Sequence, residues 1–289
     1  GDFSPTGTWT REEATNARHA LLNALPEGRP GQWVGAALDG DGDRCLLIEA
    51  TETGYRVVDG DGFAARLMEA GRTSGPWTFA ASIESDVALS GFVQSMHAGN
   101  SVIETAVGDR WLSFALREGD DGQFESQSMP TLLGIEDSGH VVMPAPHPRG
   151  NGGWSLVGDG AATLCAMLLS ADRTSSHRFE RGWKQRVSIQ DSHRERWHRD
   201  ADIFKHLSTS LCEAFASLGF EAIERHIDGE DNLLLIHGAS GDGVVSFGVR
   251  NSGTQAKTSL SLRLSPGIEP APFARLLDET KTTLAASLQ

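Results

Sequence analysis

The sequence predicts an α/β protein: layered, mixed-sheet domain structure first, then a small α+β domain at the C-terminus. Two observations carry this. From Gln32 to Leu169 short apolar runs of strand length alternate with amphipathic or apolar stretches of helix length, the signature of layered sheets with covering helices. From Asp202 onward one helical stretch is followed by four strand-like runs and a closing helix, the pattern of helices segregated to one face of an antiparallel sheet.

Thr10 to Leu25 reads as a helix, with Thr10 as cap, Glu13 three residues on, and Ala17, Ala20, Leu21 and Ala24 as the apolar stripe. Pro26-Glu27-Gly28-Arg29-Pro30-Gly31 ends it. Gln32–Leu38 and Cys45–Glu49 are strands around an acidic loop, Tyr55–Asp59 continues that sheet at its edge, and Gly62–Ala70 is helical. Trp77–Ile83, Ser101–Thr105 and Leu132–Glu136 are strands, alternating with helices at Val87–His97, Asp109–Leu116 and Asp159–Leu169; the sheet they form is expected to be mainly parallel. Ser170 to Asp200 is charged, with Arg178, Arg181, Lys184, Arg186, Arg194, Arg196 and Arg199, and reads as a solvated linker. Helix Asp202–Leu218, strands Glu221–Ile227, Leu233–His237, Val244–Val249 and Ser259–Leu264, and helix Ala271–Leu288 complete the chain.

At 289 residues the chain has room for two domains. A formal net charge of −14 argues against a nucleic-acid or membrane-surface partner, either of which needs a basic face. Three cysteines, Cys45, Cys165 and Cys212, form no CxxC pair and suit a reducing, cytoplasmic setting. Ala161–Leu169, the longest strongly apolar stretch, is far too short for a membrane span. The chain opens Gly1-Asp2-Phe3 without an initiator Met and is read as a processed or truncated product.

The most informative segment is Asp39-Gly40-Asp41-Gly42-Asp43-Arg44, placed directly after a strand. Glycines let the backbone curl so that three carboxylates converge. Converged carboxylates repel unless a hard cation sits among them, which points to Mg²⁺ or Ca²⁺ with oxygen ligands Asp39, Asp41 and Asp43. Arg44 adds a fixed positive charge suited to phosphate oxygens. An EF-hand needs Gly sixth and Glu twelfth, and here those places hold Arg44 and Ala50. The plain alternative is a solvated acidic turn, which is how Asp59-Gly60-Asp61-Gly62 reads by itself.

Two further loops carry chemistry. In Gly134-Ile135-Glu136-Asp137-Ser138-Gly139-His140, Glu136 and Ser138 have period-2 spacing and suit adjacent sugar hydroxyls, while His140 is a candidate acid/base. Arg250-Asn251-Ser252-Gly253-Thr254-Gln255-Ala256-Lys257 combines backbone amides, hydroxyls and two bracketing cations, the content of a phosphate cradle. Each alone also reads as an ordinary turn. Thr174-Ser175-Ser176-His177 has no partner pattern and reads as loop.

Taken in order, the three loops resemble those of the α-D-phosphohexomutase superfamily, which carries a DGDGDR metal loop, a GExSGH sugar loop and an RxSGT phosphate loop in successive domains. The flanks Val57-Val58-Asp59-Gly60-Asp61, Val107-Gly108-Asp109-Arg110 and Gly158-Asp159-Gly160 look like the phosphoglucosamine mutase run, which moves Asp59–Gly62 from mere turn to family segment. The chain departs at Ile135 and Asp137 in the sugar loop and at Gln255-Ala256 after the phosphate loop, and it has no TASHNP-like phosphoserine loop.

The resemblance implies phosphohexomutase-type mixed-sheet domains. Residues 1–54 would end the metal-binding second domain, 55–172 form the third, 173–200 the linker and entry, and 201–289 the C-terminal phosphate-binding domain. It implies Mg²⁺-dependent interconversion of a hexose or hexosamine 1-phosphate and 6-phosphate through a bisphosphate. Arg44 and His140 would be catalytic, Glu136 and Ser138 would hold the sugar, and Arg250, Asn251, Ser252, Gly253, Thr254 and Lys257 the substrate phosphate. The chain alone, lacking the phosphoserine, is expected to be inactive. Two other readings stand beside this one: a non-catalytic sugar-phosphate binder, and a Mg²⁺-dependent phosphatase with an Asp nucleophile.

Overall fold

Three separate β-sheets organise the described residues. The structure, a computed structural model, describes residues 7–118, 123–150, 152–171, 179–241, 243–253 and 255–289. It divides into two units, Gly1–Ser85 with Phe92–Phe179, and Asp86–Gly91 with Glu180–Gln289.

In the first unit, β1 (Thr8–Thr10), β2 (Trp33–Leu38), β3 (Cys45–Ala50) and β4 (Gly54–Val58) form an antiparallel sheet in the order β1-β4-β3-β2. The strand expected at the sheet edge, β4, is therefore internal, with the short β1 pairing outside it. The helix expected over Thr10–Leu25 is two short helices, α1 (Arg11–Asn16) and α2 (Ala20–Asn23). Thr10 does cap α1: its Oγ1 accepts from Glu13 N at 3.2 Å while the Glu13 carboxylate accepts from Thr10 N at 2.8 Å. The break follows because Asn23 Nδ2 donates to Ala14 O and Thr15 O, satisfying carbonyls that a continued helix would have used. Ala14, Leu22, Ile48 and Tyr55 bury together beneath the pair.

α3 (Gly60–Gly71) leads on to a second sheet of β5 (Thr78–Ser82), β6 (Ser101–Thr105), β7 (Leu132–Ile135), β8 (Val141–Pro146) and β9 (Trp154–Gly158), in the order β6-β5-β7-β8-β9. β5 runs parallel to β6 and β7, but β7, β8 and β9 pair antiparallel. The sheet is thus mixed and not mainly parallel. β8 escapes sequence reading because Pro144 and Pro146 argue against a strand with neighbours on both sides. α4 (Val87–Met96) connects β5 to β6. α5 (Asp109–Glu118) packs Leu112 and Leu116 on Ala80, Leu132 and Val142, and α6 (Gly160–Ser170) follows β9.

The second unit holds an all-antiparallel sheet, β10-β14-β13-β12-β11, from β10 (Trp183–Gln190), β11 (Glu221–Arg225), β12 (Leu234–Ser240), β13 (Gly243–Asn251) and β14 (Lys257–Leu264). α7 (Asp202–Ser217) and α8 (Pro270–Leu288) cover one face. Their Phe204, Phe215, Leu277 and Leu284 meet Val245, Phe247, Leu260 and Leu262 of β13 and β14. The stretch read as a linker contributes an edge strand of this sheet, paired with β14 over its whole length. The signal was present as alternation: Trp183, Val187 and Ile189 join the core while Lys184, Arg186 and Ser188 take the other face. Arg178 and Thr174–His177 lie outside the described residues.

Among the described residues no helix is long and apolar enough to cross a membrane.

Candidate metal and sugar-phosphate site

The acidic loop closes a hairpin. Leu38 of β2 pairs with Cys45 of β3, so residues 39–44 form the connection, and Gly42 takes a φ of +81° within it. Asp39, Asp41 and Asp43 each offer a carboxylate oxygen, and the three atoms lie within 4.8 Å of one another.

The three are not equivalent. Asp39 is nearly buried, its side chain 3% exposed, and it organises the loop. Its Oδ1 accepts from Gly42 N at 3.0 Å and Arg44 N at 3.2 Å, and its Oδ2 accepts from Arg44 Nε at 2.6 Å. Burial pushes the Asp39 carboxyl up, but the hydrogen bonds from Arg44 outweigh it and hold the pKa down, at about 2. Asp43 moves the other way. Burial raises it most, His140 pulls it down, and a hydrogen bond with Asp39 and the negative charges of Asp39 and Asp41 add to the rise. Asp43 Oδ1 is buried without a hydrogen bond among the described residues, its nearest cation being Arg44 Nε at 3.8 Å. A crowded carboxylate set with a buried, unsatisfied oxygen is what a hard cation would relieve.

The 136–140 loop is stitched to this hairpin. Arg44 and His140 form an antiparallel bridge, and Cys45 N donates to Gly139 O at 3.0 Å. Gly139 has a φ of +91°, and a Cβ there would overlap the Cys45 carbonyl, so only glycine allows the approach. Glu136 is buried. Its Oε1 accepts from Gly108 N at 2.5 Å and its Oε2 from Ser138 Oγ at 3.2 Å. Burial raises its pKa, opposed by the Gly108 amide, His140 and Ser138. His140 is also buried. Its Nε2 has no hydrogen-bond partner among the described residues and stands 3.9 Å from Asp43 Oδ2, a charged pair only when the imidazole is protonated.

The structure therefore brings Asp39, Asp41, Asp43, Arg44, Glu136, Ser138 and His140 into one neighbourhood of the first unit. Three details lay outside sequence reading. Arg44 is turned onto Asp39, Gly108 is the anchor of Glu136, and Gly158 leaves the space that the His140 ring fills.

The third loop belongs to the second unit, where it joins β13 to β14. Arg250 lies 3.6 Å from Glu230 Oε1. Ser252 N donates to Lys257 O at 2.9 Å, Gln255 N to Ser252 Oγ at 3.2 Å, and Gly253 is exposed with open space about it. Thr254 lies outside the described residues. Asn251, expected to face a phosphate, is held by the fold. Its Nδ2 donates to Arg194 O at 2.9 Å and Trp197 O at 3.2 Å, and its Oδ1 accepts from Thr258 Oγ1 at 2.9 Å. Asn251→Ala should cost on the order of 1–3 kcal/mol of stability, because it strands the Trp197 carbonyl, while Arg194 O keeps Trp197 N at 3.2 Å and Thr258 Oγ1 keeps Ser192 Oγ at 2.9 Å. Denaturant titration checks this; an unchanged midpoint would mean the clip is idle.

Residues 59–185 match the family described as phosphoglucomutase/phosphomannomutase, alpha/beta/alpha domain III. A phosphoglucosamine mutase of Rhodococcus opacus (strain B4) is 38% identical over 141 residues, covering 47% of this chain and 28% of that protein. One of Acidothermus cellulolyticus is 39% identical over 142 residues, covering 47% and 27%. Among solved structures, an N-acetylglucosamine-phosphate mutase in its product complex superposes with a TM-score of 0.56 at 11% identity, over 91% of this chain and 50% of that one. The Paramecium pp63/parafusin phosphoglucomutase, in an open form, gives 0.57 at 18%, over 98% and 50%. At such identities the structural likeness speaks to fold. The matches span under a third of these curated relatives and about half of the solved chains.

Proposed function

We propose that this chain belongs to the α-D-phosphohexomutase superfamily and that the protein carrying it interconverts a hexose or hexosamine 1-phosphate and 6-phosphate. The observation that carries the reading is the convergence of three carboxylates on a hairpin loop bridged directly to the Glu136–His140 loop. The relatives named phosphoglucosamine mutase favour a hexosamine phosphate.

Asp39, Asp41 and Asp43 are the residues that would hold Mg²⁺, which when bound offsets negative charge on a phosphoryl group. Asp39 keeps the loop shaped for that task, and Arg44, anchored to Asp39, places its positive charge at the rim. Glu136 accepts hydrogen bonds from sugar hydroxyls, with Ser138 beside it. His140, close to Asp43, holds or releases a proton at Nε2. Arg250, Ser252, Gly253, Thr254 and Lys257 hold the phosphate that does not react. Asn251 shapes their loop. Positioning and charge neutralisation supply most of the catalysis in such a reaction.

The assignment of residues 1–54, 55–172, 173–200 and 201–289 to the second domain, the third domain, the entry segment and the last domain is part of this proposal. So is a cytoplasmic location.

The reading is tested by following glucosamine 6-phosphate and glucosamine 1-phosphate by phosphorus NMR. The probe reaction contains Mg²⁺, a catalytic amount of the bisphosphate and the full-length protein carrying this chain. Interconversion is expected. Arg250→Ala should weaken apparent substrate affinity roughly tenfold or more, the worth of one charge-assisted hydrogen bond. Release of inorganic phosphate without isomerisation would instead support the phosphatase reading.

A further inference from the structure

The first unit contains the same local plan twice. β2, the 39–44 loop, β3, β4 and α3 form one copy; β7, the 136–140 loop, β8, β9 and α6 form the other. In each, three antiparallel strands end in an Asp-Gly pair that opens a helix. Asp59 caps α3 through Gly62 N at 3.1 Å, and Asp159 caps α6 through Ala162 N at 2.9 Å.

The contacts between the copies are crossed. Gly160, the first residue of α6, donates its N–H to Gly42 O in the metal loop at 2.8 Å. Gly60, the first residue of α3, donates to Asp137 O in the sugar loop at 3.1 Å. Both approaches require glycine. A Cβ at Gly160 would stand 2.5 Å from Arg44 O and 2.9 Å from Gly42 O, and one at Gly60 would overlap the Glu136 carbonyl. The Arg44–His140 bridge lies where the two loops meet.

We propose that the two helix starts are crossed positioning elements: Gly160 sets the metal loop of the first copy, and Gly60 sets the sugar loop of the second. Each loop thereby rests on a backbone donor at the positive end of the other copy's helix. The inference concerns loop placement and stands on geometry; its consequence for metal and sugar binding rests on the proposed function.

The test reads the two loops separately. Amide hydrogen exchange is measured by mass spectrometry on the chain and on Gly160→Ala, Gly60→Ala, Asp159→Ala and Asp59→Ala. The aspartate variants loosen the helix starts without adding bulk, which covers the case of a glycine variant that does not fold. Gly91→Ala, where the added methyl meets open space, is the control. Expected is faster exchange over 39–44 for Gly160→Ala and Asp159→Ala, and over 134–140 for Gly60→Ala and Asp59→Ala, with Gly91→Ala unchanged. Mn²⁺ affinity, followed by electron paramagnetic resonance, should fall roughly tenfold or more for Gly160→Ala, from displacement of the loop. It should change little for Gly60→Ala. Exchange that rises uncrossed, or equally in both loops, overturns the inference. Crossed exchange in a chain that binds no Mn²⁺ supports it and removes the metal reading instead.

Discussion

Asp41→Asn together with Asp43→Asn should abolish Mg²⁺ binding while leaving the metal-free chain at least as stable as before. The two effects separate because the loop divides its labour. Asp39 accepts from Gly42 N, Arg44 N and Arg44 Nε, and these bonds hold the hairpin whether or not a cation is present. Asp43, its side chain 38% exposed, has its carboxyl raised by desolvation and by its like-charged neighbours, and its Oδ1 has no hydrogen bond among the described residues, only Arg44 Nε at 3.8 Å. Amides at 41 and 43 keep the shape and remove two of three negative charges, and hard-cation affinity follows ligand charge. Wild-type chain at a Mg²⁺ concentration of roughly 100 times its Kd should gain about 2.7 kcal/mol by linkage. The double variant should gain nothing. Asp39→Asn should behave in the opposite manner and destabilise the metal-free chain, since the 2.6 Å ion pair to Arg44 is lost. Thermal melts with EDTA and with Mg²⁺ distinguish these patterns. A Mg²⁺-dependent shift that survives the double substitution sinks the three-carboxylate site.

Glu136→Gln should cut turnover of the full-length protein by roughly 10²- to 10³-fold, the scale seen when one transition-state contact is removed. Folding should not suffer. Glu136 carries its charge in a buried place, so burial raises its pKa above the ordinary 4.5, with the Gly108 amide as the main opposing influence. As pH rises through 4.5 the unfolded chain loses this proton while the folded chain still holds it. The contribution of Glu136 to stability therefore declines from pH 4.5 upward until the folded value is passed. Glutamine keeps an acceptor for Gly108 N and carries no charge, so the variant should gain on wild type across that same interval and hold its gain at neutral pH. Parallel denaturant titrations at several pH values read this directly. A variant less stable than wild type at neutral pH would make Glu136 a structural anchor and not a substrate-facing carboxylate kept at a cost.

Much of this was legible in the chain because it depends on neighbours in sequence. The capping box at Thr10 and Glu13, the Asp159 helix start, and the strand-turn-strand of the C-terminal sheet all rest on contacts a few residues apart. The errors arose where a distant group intervened. Asn23 reached back to end α1, the short β1 claimed the outer edge of β4, and β14 recruited a charged segment as its neighbour. An amphipathic edge strand with four basic or polar residues on one face resembles a linker until its partner is known.

At the candidate site the same division holds. By itself the sequence determined which groups could do chemistry: three aspartates spaced by glycine, a carboxylate and hydroxyl two residues apart, and a cation-bracketed turn. Only the tertiary structure decided what each is free to do. It assigned Asp39 to hold Arg44, buried Glu136 against the Gly108 amide, spent Asn251 on the carbonyls of Arg194 and Trp197, and set each loop on the other copy's glycine. The physical reason is common to all four. A polar group's charge state and availability are set by the partners that replace its water, and those partners arrive from parts of the chain that spacing along the sequence does not bring near.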